Sequence, residues 1–190
     1  MRIIAGLAKG RTLSAVGGAT RPTSDRAREG LFSSLLSEFG DFVGLNFLDL
    51  FAGSGAIGLE ALSRGASLVH AVEKEESAMR TINKNAEIVQ ASKTTGEFHL
   101  YSMSAQKFVE SSAPASYHII YIDPPYDFPD GELNVILEKL IAGDFVRADA
   151  LIVVERASKS AALKWPQGYE GLRERNYGQA HIYYGVRAHI

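Results

Sequence analysis

Asp49-Leu50-Phe51-Ala52-Gly53-Ser54-Gly55-Ala56-Ile57-Gly58 follows an apolar run, Leu45 to Leu50, and opens a helical pattern, Ala56 to Arg64, that Gly65 stops. A strand, a glycine-rich turn and a helix in that order form the first unit of a doubly wound sheet, because glycines let the backbone pass close to a ligand and take positive φ. The Gly-x-Gly-x-x-Gly spacing alone is a weak signal, since it also describes the turn that holds a dinucleotide pyrophosphate. Glu73, at the end of the next strand, does not separate the readings: an acid there can hold ribose hydroxyls of more than one cofactor.

Outward from this turn the pattern repeats. Ser67 to Val72 reads as a strand and Glu75 to Val89 as a helix with Ala78, Met79, Ile82 and Ala86 inward. Glu97 to Tyr101, Tyr117 to Ile122 and Ala150 to Glu155 read as further strands, with helices near Ala105 to Glu110 and Leu133 to Ile141 between them. Such alternation predicts a parallel sheet covered by helices on both faces. The end of the chain breaks the rule: Tyr169 to Arg175 and Ala180 to Arg187 are strand-like runs joined by Asn176-Tyr177-Gly178-Gln179 without a helix. They predict a terminal hairpin with one antiparallel strand. Seven strands, mostly parallel, with an antiparallel hairpin strand are the Rossmann-like methyltransferase variant of the α/β fold. Before this unit, Arg2 to Gly6 and the stretch around Arg11 to Val16 predict a small hairpin. A helix starting at Pro22 and Thr23 or Ser24 follows, carries Ala27, Leu31, Leu35, Leu36 and Phe39 at helical spacing, and ends at Gly40. A single domain over 1–190 is predicted, with 1–40 as an extension of it.

Asp49 decides between the two cofactor readings. A carboxylate at the tip of the first strand repels a pyrophosphate across a few ångströms but suits the ammonium end of a methionine moiety. The turn therefore favours S-adenosylmethionine. The bland alternative is that Asp49 caps the turn, Glu73 caps the following helix, and the glycines only permit tight packing.

Asp123-Pro124-Pro125-Tyr126 follows the strand ending at Ile122, at the carboxyl edge where open α/β sheets bind ligands. Two prolines fix the backbone and remove two donors, leaving carbonyls free to accept. The Asp123 carboxylate and the Pro124 carbonyl can then grip both hydrogens of an exocyclic NH2 and present its lone pair to the methyl donor. Tyr126 supplies a face on which an extruded base stacks. In isolation the tetrapeptide also fits a rigid turn with an Asp cap.

Composition bounds the rest. The chain of 190 residues is 46% hydrophobic, has no cysteine and carries a net charge of -2. Disulfides and thiolate metal sites are excluded, the five scattered histidines read as structural, and no metal is expected. No apolar run approaches the roughly 20 residues of a membrane span and no signal-peptide order is present, so a cytoplasmic protein is expected. The charge is uneven: residues 1 to 30 hold Arg2, Lys9, Arg11, Arg21, Arg26 and Arg28 against Asp25 and Glu29. Lys9, Arg11, Arg21, Arg26 and Arg28 are the candidates for an RNA-docking edge, with a merely solvated basic face as the alternative.

These motifs together resemble the RsmD family of bacterial methyltransferases, which act on the N2 amine of a guanine in small-subunit (16S) ribosomal RNA. The likeness runs through Arg2-Ile-Ile-Ala-Gly6, Lys9-Gly10-Arg11, Thr20 to Glu29, Leu48 to Gly55, Gly58 to Ala66, Asp123 to Tyr126 and, more weakly, Val154-Glu155. It implies that Asp49, Phe51, Gly53, Ser54 and Gly55 lie against the methionine part of S-adenosylmethionine and that Glu73 holds the ribose. It further implies that Asp123 to Tyr126 hold the target amine. Where such enzymes often carry an acid to meet the adenine amino group, this chain has Ser102-Met103-Ser104-Ala105, so Ser104 and Ala105 are assigned that contact. Ribosomal RNA, bare or in an assembled small-subunit particle, is the expected partner, and a monomer the expected state. Competing readings are methylation of another planar amine (adenine N6 or a protein glutamine amide), a nicotinamide-dependent oxidoreductase built on Gly53, Gly55, Gly58 and Glu73, and a non-catalytic RNA-binding module. The oxidoreductase lacks a candidate acid or base, and intact Asp49 and Asp123 argue against the binding module.

Overall fold

A computed structural model of the chain describes residues 1–17 and 24–188. Helix α1 (Asp25–Phe39) precedes an alternation of β1 (Asn46–Leu50), α2 (Ala56–Ser63), β2 (Leu68–Glu73), α3 (Glu76–Gln90), β3 (Glu97–Ser102), α4 (Ala105–Glu110), β4 (Tyr117–Ile122), α5 (Asp130–Ala142) and β5 (Val146–Ala157). The chain closes with β6 (Tyr169–Tyr177) and β7 (Ala180–Arg187). The seven strands pair in the order β3-β2-β1-β4-β5-β7-β6. Strands β1 to β5 are parallel, and β7 runs antiparallel to both β5 and β6. From β1 the order proceeds to β2 on one side and to β4 on the other, which opens a crevice at the carboxyl edge between β1 and β4.

The sheet is buried on both faces, which is why β1 and β4 are nearly continuous apolar runs. Helices α1, α2 and α3 pack Leu31, Phe32, Leu35, Leu59, Leu62 and Val89 against one face; α4 and α5 pack Phe108, Leu133, Ile136 and Leu137 against the other. Two histidines are structural: His70 is buried with its Nδ1 2.7 Å from the Tyr117 hydroxyl, and Asn46 donates its backbone N–H to His118.

Differences from the sequence expectations are local. The terminal hairpin turns on Gly178-Gln179 alone, with Gly178 at φ 64, so β6 runs two residues further than its apolar pattern. Strand β5 begins at Val146 and α5 at Asp130, because polar residues at both starts hide them from a hydrophobic periodicity. Ser24 caps α1 by accepting from Ala27, and Gly40 ends it, but Leu36 is exposed and Phe32 takes the inward position. Met79 is only partly buried in α3.

The first segment is a short form of the expected hairpin. Arg2 and Thr12 form an antiparallel bridge, the Ile3 and Leu13 N–H groups donate to the Arg11 and Met1 carbonyls, Gly10 N–H donates to the Ile3 carbonyl, and the segment is also pinned to helices. Glu60 of α2, fully buried, accepts the Ile4 and Ala5 backbone N–H groups, while Ser63 exchanges hydrogen bonds with Ala5 and Ala8. Asn85 of α3 holds Ser14 from both sides, donating to its carbonyl and accepting its N–H. Polar groups of the two helices thus satisfy the backbone groups that the short hairpin leaves unpaired.

Three of the basic candidates need correction. Arg28 is 1% exposed and donates through Nη2 to the Arg2 carbonyl and to Asp25, so it anchors the first segment to α1 and does not face a phosphate. Lys9 and Arg11 are exposed but lie at the wrong edge: Leu7 bonds the Ser63 carbonyl at the end of α2, and Arg11 reaches Ser92 just beyond α3. Both helices start at the carboxyl edge, and α3, with its 15 residues, is about 22 Å long. Arg26 is exposed beside Asp25 in the first turn of α1, whose beginning lies toward the carboxyl edge because its end leads to the Val43–Ala66 bridge below β1 and β2. Arg21 lies outside the described residues.

Candidate active site

The crevice at the ends of β1 and β4 is lined by one acid from each of four strands. Asp49 on β1, Glu73 on β2, Asp123 just past β4 and Glu155 on β5 share the strand alternation of Phe47, Val69, Tyr121 and Val153, and therefore the α1–α3 face of the sheet. Glu155 was not singled out by sequence beyond a weak motif. It is 7% exposed and accepts a hydrogen bond from the buried Tyr121 hydroxyl on the neighbouring strand.

The turn after β1 is built to close tolerances. Asp49 is 1% exposed and its Oδ2 accepts the Gly58 backbone N–H at 3.0 Å. A Cβ at Gly58 would stand 3.0 Å from Val69 Cγ1 and 3.3 Å from Asp49 Oδ2, so glycine is what lets α2 approach β1 closely enough to make that bond. Gly53 takes φ 57, and a Cβ there would meet nothing within 4 Å, so the backbone faces open space above the turn. Phe51 holds φ 61, a left-handed conformation that costs a non-glycine residue on the order of 1 kcal/mol. Its ring packs edge-on against Phe128, 5.1 Å away, and so ties the glycine turn to the segment after Asp123.

Glu73 is strongly committed. Its Oε2 accepts Gly53 N–H at 2.9 Å, and its Oε1 accepts Lys74 and Glu75 N–H groups at 2.8 Å. A carboxylate has about four acceptor positions, so roughly one remains for a ligand hydroxyl. The side chain is both a local cap and a ligand-facing acceptor. Asn85 Nδ2 also donates to the Ser54 carbonyl, which links the turn to Ser14; a polar residue on the inward face of the amphipathic α3 was the available signal.

The turn after β4 is more open. Asp123 is partly exposed, Pro124 buried, and Pro125 and Tyr126 exposed, with Tyr126 at 70%. The Pro125 carbonyl accepts Phe128 N–H, while among the described residues nothing bonds the Pro124 carbonyl or the Asp123 carboxylate. Ser104 caps α4 by accepting Lys107 N–H, which leaves its own O–H as a donor beside the buried Ala105.

Burial, with neighbouring carboxylates second to it, sets the electrostatics. Burial, partly offset by the Gly58 bond and reinforced by Glu73, pushes Asp49 up to about 7. Asp123 is also raised well above the ordinary carboxylate range, by burial first and then by Glu155 and Asp49, against an opposing pull from Arg156. A site that leaves like charges this close is relieved by a cation.

Residues 1–186 match the family described as Conserved hypothetical protein 95, and the chain belongs to it, the RsmD family that its motifs resemble. A protein of Haemophilus influenzae named Ribosomal RNA small subunit methyltransferase D is 32% identical over 180 residues, covering 94% of this chain and 89% of its own. A protein of the same name from Escherichia coli K12 is 33% identical, covering 94% and 86%. The solved structure of yhhF from Escherichia coli superposes with a TM-score of 0.82 at 31% identity, covering 98% of this chain and 97% of that one.

Proposed function

We propose that this protein transfers a methyl group from S-adenosylmethionine to the exocyclic N2 amine of a guanine in small-subunit (16S) ribosomal RNA. The observation that carries the reading is the pair of acceptors at Asp123 and Pro124, unclaimed by any described residue, beside the exposed Tyr126 ring. The names of the relatives support ribosomal RNA as the substrate.

The residues present fit the cofactor. S-adenosylmethionine carries an ammonium and a sulfonium, and the four crevice carboxylates supply the countercharge that their crowding calls for. Asp49, Phe51, Gly53, Ser54 and Gly55 would hold the methionine part, Glu73 one ribose hydroxyl through its remaining acceptor position, and Ser104 with Ala105 the adenine edge. When bound, the cofactor supplies a methyl group activated by a positively charged sulfur. The same crevice is hostile to the pyrophosphate of a nicotinamide cofactor.

The protein's own contribution is then alignment and charge. Asp123 and the Pro124 carbonyl accept the two amine hydrogens and so fix where the nitrogen lone pair points. Pro124 and Pro125 keep the turn rigid, and Tyr126 stacks on the extruded base, a contact of about 1–3 kcal/mol. As the amine nitrogen gains the methyl group and becomes positive, Asp123 stabilises it and accepts the proton that it then sheds, with Glu155 and Asp49 adding to the negative field. Orientation of this kind supplies roughly 7–11 kcal/mol.

We take 1–190 as one domain acting as a monomer, with 1–40 contributing RNA contacts through Arg26 and, outside the described residues, Arg21. No helix among the described residues is long and apolar enough to cross a membrane. The test is mass mapping of modified guanosines in ribosomal RNA from cells with and without the gene, paired with methyl transfer by the purified protein to bare RNA, small-subunit particles, DNA and protein. Loss of one N2-methylguanosine is expected; transfer to adenine or glutamine instead would overturn the substrate.

A further inference from the structure

A second concavity lies at the carboxyl edge, on the other side of the Asp123 to Phe128 turn from the four acids. It measures about 220 Å³ and is lined by Asp130 and Asn134 of α5, Arg156 of β5, and Ala161, Leu163 and Lys164 of the segment after β5. Pockets that enclose a whole small molecule run to roughly 300–1,000 Å³, so this one suits a fragment of a larger ligand. We propose that it holds a phosphodiester group of the RNA strand adjoining the target nucleotide, an assignment that rests on the methyltransferase reading of Asp123.

Charge and donors define the ligand. Arg156 is 8% exposed, and its side-chain hydrogen bonds among the described residues both run through Nη2, to the Phe128 carbonyl at 3.1 Å and to Asp130 at 2.8 Å. Its Nε and Nη1 still have donors to offer. Lys164 is exposed and forms no ion pair among the described residues. Asp130 offsets one of the two cations, and Asp123, also near Arg156, is pushed toward its neutral form, so about one positive charge is left for the single negative charge of a phosphodiester. Ala161 and Leu163 supply apolar walls.

Position ties the cleft to the reacting amine. Arg156 is bonded to the Phe128 carbonyl, and Phe128 is two residues past Tyr126, a span of at most about 7 Å of backbone. Arg156 is also close enough to act on the Asp123 carboxylate. A strand crossing the carboxyl edge can therefore set its target base on Tyr126 and its neighbouring phosphate between Arg156 and Lys164. Phosphate contacts of this sort fix register without reading sequence.

The experiment measures binding of the full chain to a guanosine-containing single-stranded oligoribonucleotide across a KCl series. Lys164→Ala with Asn134→Ala should weaken binding about tenfold at low salt and reduce the salt slope by about 0.7, the value for one phosphate contact on a single strand. Lys164→Arg should keep the wild-type slope, and S-adenosylmethionine affinity should be unchanged in all variants. Equal affinity and slope in the double variant, or no binding by the wild type, overturns the assignment. So does saturable displacement of the oligonucleotide by inorganic phosphate at matched ionic strength, which would make the cleft a free-phosphate site. Methyl transfer to small-subunit particles, followed in parallel, separates the two readings. Lys164-dependent binding without transfer sinks the methyltransferase reading and keeps the cleft, whereas transfer with the same RNA dependence in wild type and variant does the reverse.

Discussion

Asp49 and Asp123 stand at the ends of neighbouring strands, face the same side of the sheet, and are both pushed toward the neutral form, yet their turns are built differently. Around Asp49 the backbone supplies the partners: Gly58 donates to Asp49, and Gly53, Lys74 and Glu75 donate to Glu73. Around Asp123 two prolines withhold their N–H groups, and no described residue bonds the acceptors of Asp123 and Pro124. The first turn has its carboxylates bonded by its own backbone; the second, in the reading proposed above, completes its hydrogen bonding with a substrate amine. A binding cradle and a reacting site place opposite demands on the same residue type.

The strongest way to break this contrast is Asp123→Ala. Turnover should fall a hundredfold or more, about 3 kcal/mol, while S-adenosylmethionine affinity stays within about twofold, because the lost acceptor faces the amine. Asn at 123 should be milder. Near-normal single-turnover rates in the alanine variant would remove Asp123 from the reaction.

Glu73→Ala should act on the other turn, weakening the cofactor by roughly 1–3 kcal/mol with a smaller effect on the rate at saturation. Since Glu73 also fixes Gly53, calorimetry with the cofactor and its demethylated product should show both weakened alike. Unchanged affinity would reduce Glu73 to a cap of its own turn.

A pH series sharpens the comparison further. Asp49, raised from 3.8 to about 7, is largely neutral below that pH in the free protein, and a cationic ligand favours its ionised form. Binding therefore releases a proton, and affinity should rise up to about tenfold per unit as pH climbs toward 7 and level off above it. Asp49→Asn should bind more weakly above pH 7 and lose this rise. A wild-type affinity flat between pH 6 and 8 would show that Asp49 is not beside the positive charge.

The smallest effect concerns the basic first segment. Arg26→Ala should lower the salt slope of RNA binding by about 0.7–0.9, whereas Lys9→Ala with Arg11→Ala should leave methyl transfer to small-subunit particles unchanged. Equal loss of transfer in both would mean that the amino edge also contacts RNA.

Much of this contrast was legible in the sequence, because the residues of each turn are contiguous. Asp49 to Gly58 and Asp123 to Tyr126 each carry their strand, turn and helix signals within a dozen residues, and the alternation of elements fixed the parallel sheet. The basic segment was the opposite case. Counting charges over residues 1 to 30 could not distinguish the buried Arg28, tied to Arg2 and Asp25, from the exposed Arg26, nor separate Arg26 from Lys9 at the other edge of the sheet.

Glu60, Asn85 and Glu155 show the same limit from the other side. Each is a polar residue in an otherwise apolar stripe with a partner far away in the chain: Ile4 and Ala5 for Glu60, which also pairs locally with Arg64, Ser14 for Asn85, Tyr121 for Glu155. The cleft of Arg156, Asn134 and Lys164 likewise joins β5, α5 and a loop. The sequence by itself determined the class of fold, the two turns and the kind of chemistry, since these depend on local periodicity and on backbone chemistry at glycine and proline. Only the tertiary structure decided which acids share one crevice and which cations reach its edge. Burial and electrostatic coupling act through space between residues whose separation along the chain carries no information about their distance.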